Sequence, residues 1–306
     1  MNLDGLRPWG GLAGHDPESA DVVVAGIAYD GSAVYRKGAA GAPARIRSLS
    51  AAIPPVTEDG RLLTEMRVSD IGDLDPGPDI EQGWAGVADK LAALPPQALL
   101  TVLGGDHCTA ISTLSAQARR HPGLCVLWVD AHPDLCDFSR GGRWTCGCAL
   151  IRALEISKID PRDVVIAGGR DYDPEELEFI KAHGILLVST TELARDLAGG
   201  AKRVAERIAG RKLHVSFDID VLDPAYAPGT EIPSAGGLST RQALDLLHAA
   251  TAGSELVGLD VVEVSPPSDS GDITTFAALK VIFEFWGMAA ERSAMVGESA
   301  ESRGKR

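Results

Sequence analysis

Short runs of apolar and β-branched residues recur along the 306-residue chain, separated by stretches whose apolar positions fall three and four apart. Asp21–Ile27 is the first such run and predicts a buried strand. Further strands are expected at Arg67–Gly72, Ala98–Leu103, Leu124–Asp130, Asp163–Ala167, Ile185–Val188, Leu213–Phe217 and Val257–Val262. Between them, helices are expected from Pro43 onward with Ile46 and Leu49 inward, at Asp79–Leu94, from His107 through Arg120, and at Ala149–Glu155. Pro174–Ala182, Arg203–Ile208, Thr240–Ala250 and a long Ile273–Glu291 complete the set. About eight strand runs alternating with helices predict one three-layer α/β/α domain around a mainly parallel sheet, over residues 1–306. Residues 1–20, rich in Gly and Pro, read as an irregular arm, and 296–306 as a flexible tail.

Composition narrows the partners. Asp and Glu outnumber Lys and Arg by 43 to 29, a net charge of −14 that repels phosphate backbones and anionic lipids. Nucleic acid and membrane are therefore poor partners, and a cationic small molecule a better one. The start shows no secretion-type pattern, and an odd count of 5 cysteines without a C-x-x-C pair predicts reduced thiols in the cytoplasm.

Three strand exits carry the candidate chemistry. Leu124–Val129 runs into Asp130, His132 and Asp134, and residues two apart on an extended chain point the same way. Alone, this triplet fits either a divalent-metal site or a solvated strand end. Gly104-Gly105-Asp106-His107 follows another strand, and Asp218, Asp220 and Asp223 close a third. Ligands in parallel sheets gather outside the carboxyl ends of the strands, so the three exits can converge. Asp130, Asp134, Asp218 and Asp220 with His107 and His132 amount to four carboxylates and two neutral imidazoles, which two dications would balance. Such a donor set suits manganese, with zinc, cobalt and nickel as alternatives. Two metals bridging a water point to hydrolysis of an unreactive carbon centre.

These motifs resemble the ureohydrolase family of arginases, agmatinases and guanidino-acid hydrolases, with agmatinase-like members nearest. The matching pieces are G-G-D-H at 104–107, D-A-H-P-D at 130–134, S-F-D-I-D-V-L-D-P at 216–224, A-P-G-T at 227–230 and D-V-V-E-V-S-P-P at 260–267. With the Tyr35–Pro43 loop, the resemblance runs from about residue 20 to 292. It implies two Mn²⁺ ions, one on His107, Asp130, Asp134 and Asp218, the other on Asp130, His132, Asp218 and Asp220. It also implies attack of a bridging hydroxide on a guanidinium carbon to release urea, with Asp134 moving the proton and Glu263 pairing with the guanidinium. A trimer or hexamer is the implied assembly.

Two departures bear on the substrate. Cys146 stands where the family usually has a proton-shuttling His, and a thiol does not replace imidazole at its usual pKa. After Gly229-Thr230, where agmatinase-like chains often read Gly-Thr-Pro-Glu, this chain has Glu231-Ile232-Pro233-Ser234, in which Glu231 adds a carboxylate near the expected mouth and Ser234 removes one. Asp173 resembles an arginase aspartate that meets a substrate amine, although an Asp before Pro174 also suits a helix start. The expected activity is cleavage of a small cationic guanidino compound. The alternatives are a formimidoyl or other amidine substrate, a modified guanidine, or a non-catalytic subunit of the same fold.

Overall fold

The computed structural model describes residues 5–291 and, beyond them, only the extent of the last helix. Eight strands form one sheet: β1 (Val22–Ile27), β2 (Val68–Asp73), β3 (Leu99–Gly104), β4 (Cys125–Val129), β5 (Val164–Ala167), β6 (Leu186–Val188), β7 (Lys212–Asp218) and β8 (Glu255–Val262). Every pairing is parallel, in the order β2-β1-β3-β8-β7-β4-β5-β6. The inner strands are apolar on both faces because both faces are covered, which is why they read as continuous hydrophobic runs.

The helices are α1 (Ala42–Ser50), α2 (Ile80–Ala92), α3 (Thr109–Arg120), α4 (Ala149–Ser157), α5 (Pro174–His183), α6 (Thr190–Arg195), α7 (Leu197–Ile208), α8 (Thr240–Thr251) and α9 (Ile273–Arg303). One core layer joins Ile46, Val204, Leu247 and Trp286 of α1, α7, α8 and α9 to alternate strand residues such as Leu127, Val215 and Leu259. On the other face, α3 and α4 bury Leu114, Leu150 and Leu154 against Val126 and Ile166, and α2 buries Trp84 and Val87 against Leu100 and Val102. Within α9, Ile273–Glu291 is long and apolar enough to cross a membrane, but most of it is buried in this core.

The irregular N-terminal arm is docked on the core: Trp9 is fully buried, 5.2 Å from Trp286 between ring centroids, and its indole N–H donates to Asp70 Oδ2 at 2.8 Å. The helix expected from Arg203 begins at Leu197, where Asp196 caps the amide of Gly199, and α6 precedes it. Two glycines hid that first turn; a Cβ on Gly200 would lie 2.7 Å from Leu193 Cδ2, so the close α6–α7 packing needs the glycine. Of the flexible tail expected at 296–306, the stretch up to Arg303 falls within the extent of α9, and 304–306 lie outside the described residues.

Chain order and sheet order part company after β3. The chain passes over two strand positions to β4, and β8 and β7 later fill the gap, so β3, β8, β7 and β4 stand side by side. The candidate metal ligands and Glu263 all end or follow one of these four.

Candidate metal centre and active site

His107 follows β3 at the start of α3, Glu263 follows β8, Asp218 and Asp220 end β7, and Asp130, His132 and Asp134 follow β4. Three backbone exits crowd together here. The Glu263 amide donates to Gly105 O at 2.8 Å and the Asp106 amide to Tyr29 O at 2.8 Å, and a Cβ on Gly105 would lie 1.8 Å from Tyr29 O. The second glycine of G-G-D-H is thus required by close approach of β1's exit. Asp106 of the same motif is not turned to the centre; it is fully buried and accepts from Ser32 Oγ (2.6 Å) and the Cys108 amide (3.2 Å), tying the loop after β1 to α3.

His107 Nδ1 lies 3.0 Å from Asp130 Oδ2, 3.1 Å from Asp218 Oδ2 and 3.3 Å from Asp134 Oδ2. One N–H can serve one of these oxygens, not three, and neither His107 Nδ1 nor Asp130 Oδ2 makes a hydrogen bond. Ser216 Oγ donates to Asp260 Oδ1 at 2.6 Å, so it accepts from His107 Nε2–H at 2.9 Å. Nε2 therefore carries a proton, and Nδ1, without a hydrogen-bond partner, faces a ring of carboxylate oxygens. That is the donor arrangement of a cation cage, and the residues fit a divalent ion.

A second group, Asp130, His132 and Asp220, adjoins the first. His132 Nδ1 lies 3.0 Å from Asp220 Oδ2 and 3.6 Å from Asp130 Oδ1. Asp130 thus offers one oxygen to each group, as expected of a bridging ligand. Asp218 joins only the first group, and its Oδ1 accepts the Asp220 amide at 2.8 Å. Asp223 lies away from both and holds the turn amides of Ala225, Gly236 and Gly237.

The protein's own charges leave these acids in excess. Burial, then the charge of Asp130, raises the Asp134 carboxyl to about 7 against the pull of His107. Burial, then Asp220 and Asp130, lifts Asp218 well above the carboxylate range. Burial, then Asp218, Glu231 and Asp106, does the same to Glu263. Burial alone would lower the His107 imidazole, but the three carboxylates around Nδ1 reverse this and raise it. Bound cations would remove that conflict by pairing the carboxylates directly.

Outside the cage a network steadies it. His214 Nε2–H donates to Asp260 Oδ2 at 2.8 Å, and Gln117 Nε2 reaches His214 Nδ1 at 3.3 Å and Val257 O at 2.9 Å. Register makes this possible: Trp128 pairs with Ser216 and Ser216 with Asp260 across β4, β7 and β8. A Cβ on Gly258 would lie 2.0 Å from Gln117 Nε2, so the network also needs that glycine. Sequence reasoning missed these groups. His214 and Ser216 stand four and two residues before Asp218, a same-face spacing that was a usable signal, but nothing marked Asp260 as their partner.

A cavity of about 320 Å³ opens over the two groups, lined by Asp134, His132, Asp218, Asp220 and Glu263 below and by Arg140, Cys146, Asp171, Asp173, Glu176 and Glu231 above. The structure therefore brings the candidate site residues His107, His132, Asp134, Cys146, Asp173, Asp218, Asp220, Glu231 and Glu263 to one cavity, with Asp130 buried beneath it and Asp223 apart. Glu263 accepts the His107 amide on Oε1 at 2.8 Å, while the buried Oε2 has no partner and remains for a ligand. Asp173 precedes α5 and also lines the cavity; its amide donates to Glu176 Oε2 at 2.8 Å, and Cys136 Sγ lies 3.4 Å from its Oδ2. Cys136, Glu176, Asp171 and Arg140 were not singled out by sequence. Asp134 (φ 54) and Glu263 (φ 64) hold left-handed backbone conformations that side chains seldom adopt.

Residues 20–287 match the Arginase family. The chain is 37% identical over 276 residues to proclavaminate amidinohydrolase of Streptomyces clavuligerus, covering 87% of this chain and 88% of that one. The solved structure of that enzyme superposes with a TM-score of 0.85 over 94% of this chain and 98% of its own, at 35% identity. Guanidinopropionase of Pseudomonas aeruginosa is 33% identical over 91% of this chain and 90% of its own, and agmatinase of Bacillus cereus 32% over 87% and 91%. With the fold, the motif order and these matches in agreement, the chain belongs to the arginase family.

Proposed function

We propose that this protein is a binuclear metal-dependent amidinohydrolase that cleaves a C–N bond of a small guanidino compound and releases urea. The observation that carries the proposal is the ring of Asp130, Asp134 and Asp218 oxygens around Nδ1 of His107, which has no hydrogen-bond partner. His107, Asp130, Asp134 and Asp218 would hold one cation, and Asp130, His132 and Asp220, with Asp218 beside them, the other. Bound there, two divalent cations polarise water and lower its pKa toward neutrality. The carboxylate-rich donor set favours manganese, with nickel, cobalt and zinc to be compared in the same assay.

The chain's own residues supply the rest. Glu263 Oε2 matches one edge of a planar guanidinium and would turn its carbon toward the cation pair. Asp134, at the boundary between cage and cavity, would take the water's proton. Asp171 and Asp173 at the rim would favour a cationic tail such as that of agmatine, whereas Arg140 beside them would suit a carboxylate. We expect a homo-oligomer, a trimer or hexamer, and a cytoplasmic setting in which the five unpaired thiols stay reduced.

Mass-spectrometric product detection with Mn²⁺-loaded protein against a panel of guanidines and amidines tests this. Urea is the expected product. Cys146 keeps a second reading alive, hydrolysis of a formimidoyl or other amidine, for which formamide or a substituted urea would be the sign. Silence with all four metals would favour a non-catalytic subunit.

A further inference from the structure

The two departures from the family pattern meet in space. Cys146 Sγ lies 4.0 Å from Glu231 Oε2, and with Glu263 these residues place one ligand atom each within 4.8 Å of one another on the cavity wall. Glu231 is 2% exposed. Its Oε1 is held by the amides of Val34 and, at 2.7 Å, Tyr35, which fixes the side chain and leaves Oε2 turned to the thiol. Resting on the amidinohydrolase reading, we infer that Glu231 Oε2 is the catalytic group that hands a proton to the leaving amine, in the place of the imidazole that the family pattern puts at position 146.

The thiol does not fill that role. Burial first, then the charges of Glu263, Asp134 and Glu231, push Cys146 far above its usual range, so it stays an S–H. A carboxyl in the same setting does fill it. Burial raises Glu231 while the Tyr35 and Val34 amides pull it back, the charges of Asp30, Asp220 and Asp106 act on it, Glu263 and the Cys146 thiol adjoin it, and Arg140, His132 and the proposed cations share its cavity. The burial and the carboxylates favour a proton on Glu231, and with Oε1 anchored it is Oε2 that would carry it. A side chain one carbon longer than aspartate, anchored by one oxygen, reaches the space that a short Cys in place of His leaves open.

The proton count needs two carriers. Hydrolysis converts R–NH–C(NH₂)₂⁺ and water into R–NH₃⁺ and urea. A C–O bond forms from water, the C–N bond to the leaving nitrogen breaks with its electron pair going to nitrogen, and that nitrogen gains two hydrogens, both from the water. Asp134 accepts one and returns it to the leaving nitrogen. Glu231 donates the other from Oε2 and is reprotonated by the water's remaining proton. Charge and atoms balance with no further reactant.

The test is steady-state kinetics of Mn²⁺-loaded wild type, Glu231→Gln and Glu231→Asp from mildly acid to alkaline pH, with melting curves as a fold check. Gln keeps an acceptor for the Val34 and Tyr35 amides. Glu231→Gln should lower kcat about 100-fold, at the lower end of general-acid effects, with KM unchanged. It should also remove the fall in kcat at rising pH that marks loss of the acid's proton, whereas Glu231→Asp keeps that fall at a reduced rate. A Cys146→His/Glu231→Gly double variant should restore turnover. A raised KM with unchanged kcat, or no change, would overturn the proposal. If wild type hydrolyses no guanidine, the amidinohydrolase reading itself fails. An infrared difference spectrum of wild type minus Glu231→Gln then decides: a protonated-carboxyl band near neutral pH supports a proton-holding Glu231, and its absence overturns it.

Discussion

The indole of Trp128 lies flat on the imidazole of His107, ring centroids 3.9 Å apart and planes 4° from parallel. The stack fixes the rotation of the His107 ring, and Ser216 with Asp260 fixes its tautomer. Orientation and tautomer together would present Nδ1 to a cation held by the surrounding carboxylates. Asp260→Asn, which leaves either Ser216 or His214 without its acceptor, should weaken Mn²⁺ binding by roughly 10–100-fold, the usual effect of losing an outer partner of a ligating histidine. Chelator-competition titration reads the affinity directly, and a wild-type value would refute the tautomer argument.

Asp134 is both a cage member and the proposed proton acceptor. Asp134→Asn keeps an oxygen for the cage and the shape of the site but removes the base. Turnover should fall by about 100-fold or more while the first cation still binds. Wild-type rates in this variant would sink the mechanism.

Cations should stabilise the fold because they relieve the repulsion among Asp130, Asp134, Asp218 and Asp220. Each site filled at a hundred times its Kd adds about 2.7 kcal/mol. Thermal melts with and without Mn²⁺ should therefore differ by several degrees, and His107→Ala should remove most of the difference. Equal melting temperatures for the two wild-type samples would count against a built cation site.

His121, far from this centre, is buried without a hydrogen-bond partner on either ring nitrogen. Burial, then the charges of Arg120 and Lys212, lowers its pKa from 6.5 to about 4. A histidine depressed in the folded state contributes stability that is complete above 6.5 and is lost as pH falls from there toward 4, since the unfolded chain takes up the proton first. His121→Gln should flatten the decline of denaturation midpoints across that window. An unchanged slope would place the acid sensitivity elsewhere.

Much of this was legible in the sequence, for physical reasons. Strands buried on both faces announce themselves as apolar runs, and the period of two in Asp130-x-His132-x-Asp134 puts three ligands on one edge without reference to the fold. The strand order was not legible, because nothing local says that β8 and β7 slip between β3 and β4. The docking of Trp9 was not legible, because one aromatic anchor in a Gly- and Pro-rich arm outweighs the composition around it. Cys146 and Glu231 were each visible as oddities, but only the folded chain makes them neighbours across 85 positions of sequence.

The left-handed backbone at Asp134 and Glu263 sets robustness against activity. Glycine would relax either position, at a gain of order 1 kcal/mol, and would delete the side chain the reaction uses. A library enriched for heat resistance alone would drift toward glycine at 134 and 263 and fall silent. One screened for product would keep both acids and recover its stability from substitutions elsewhere.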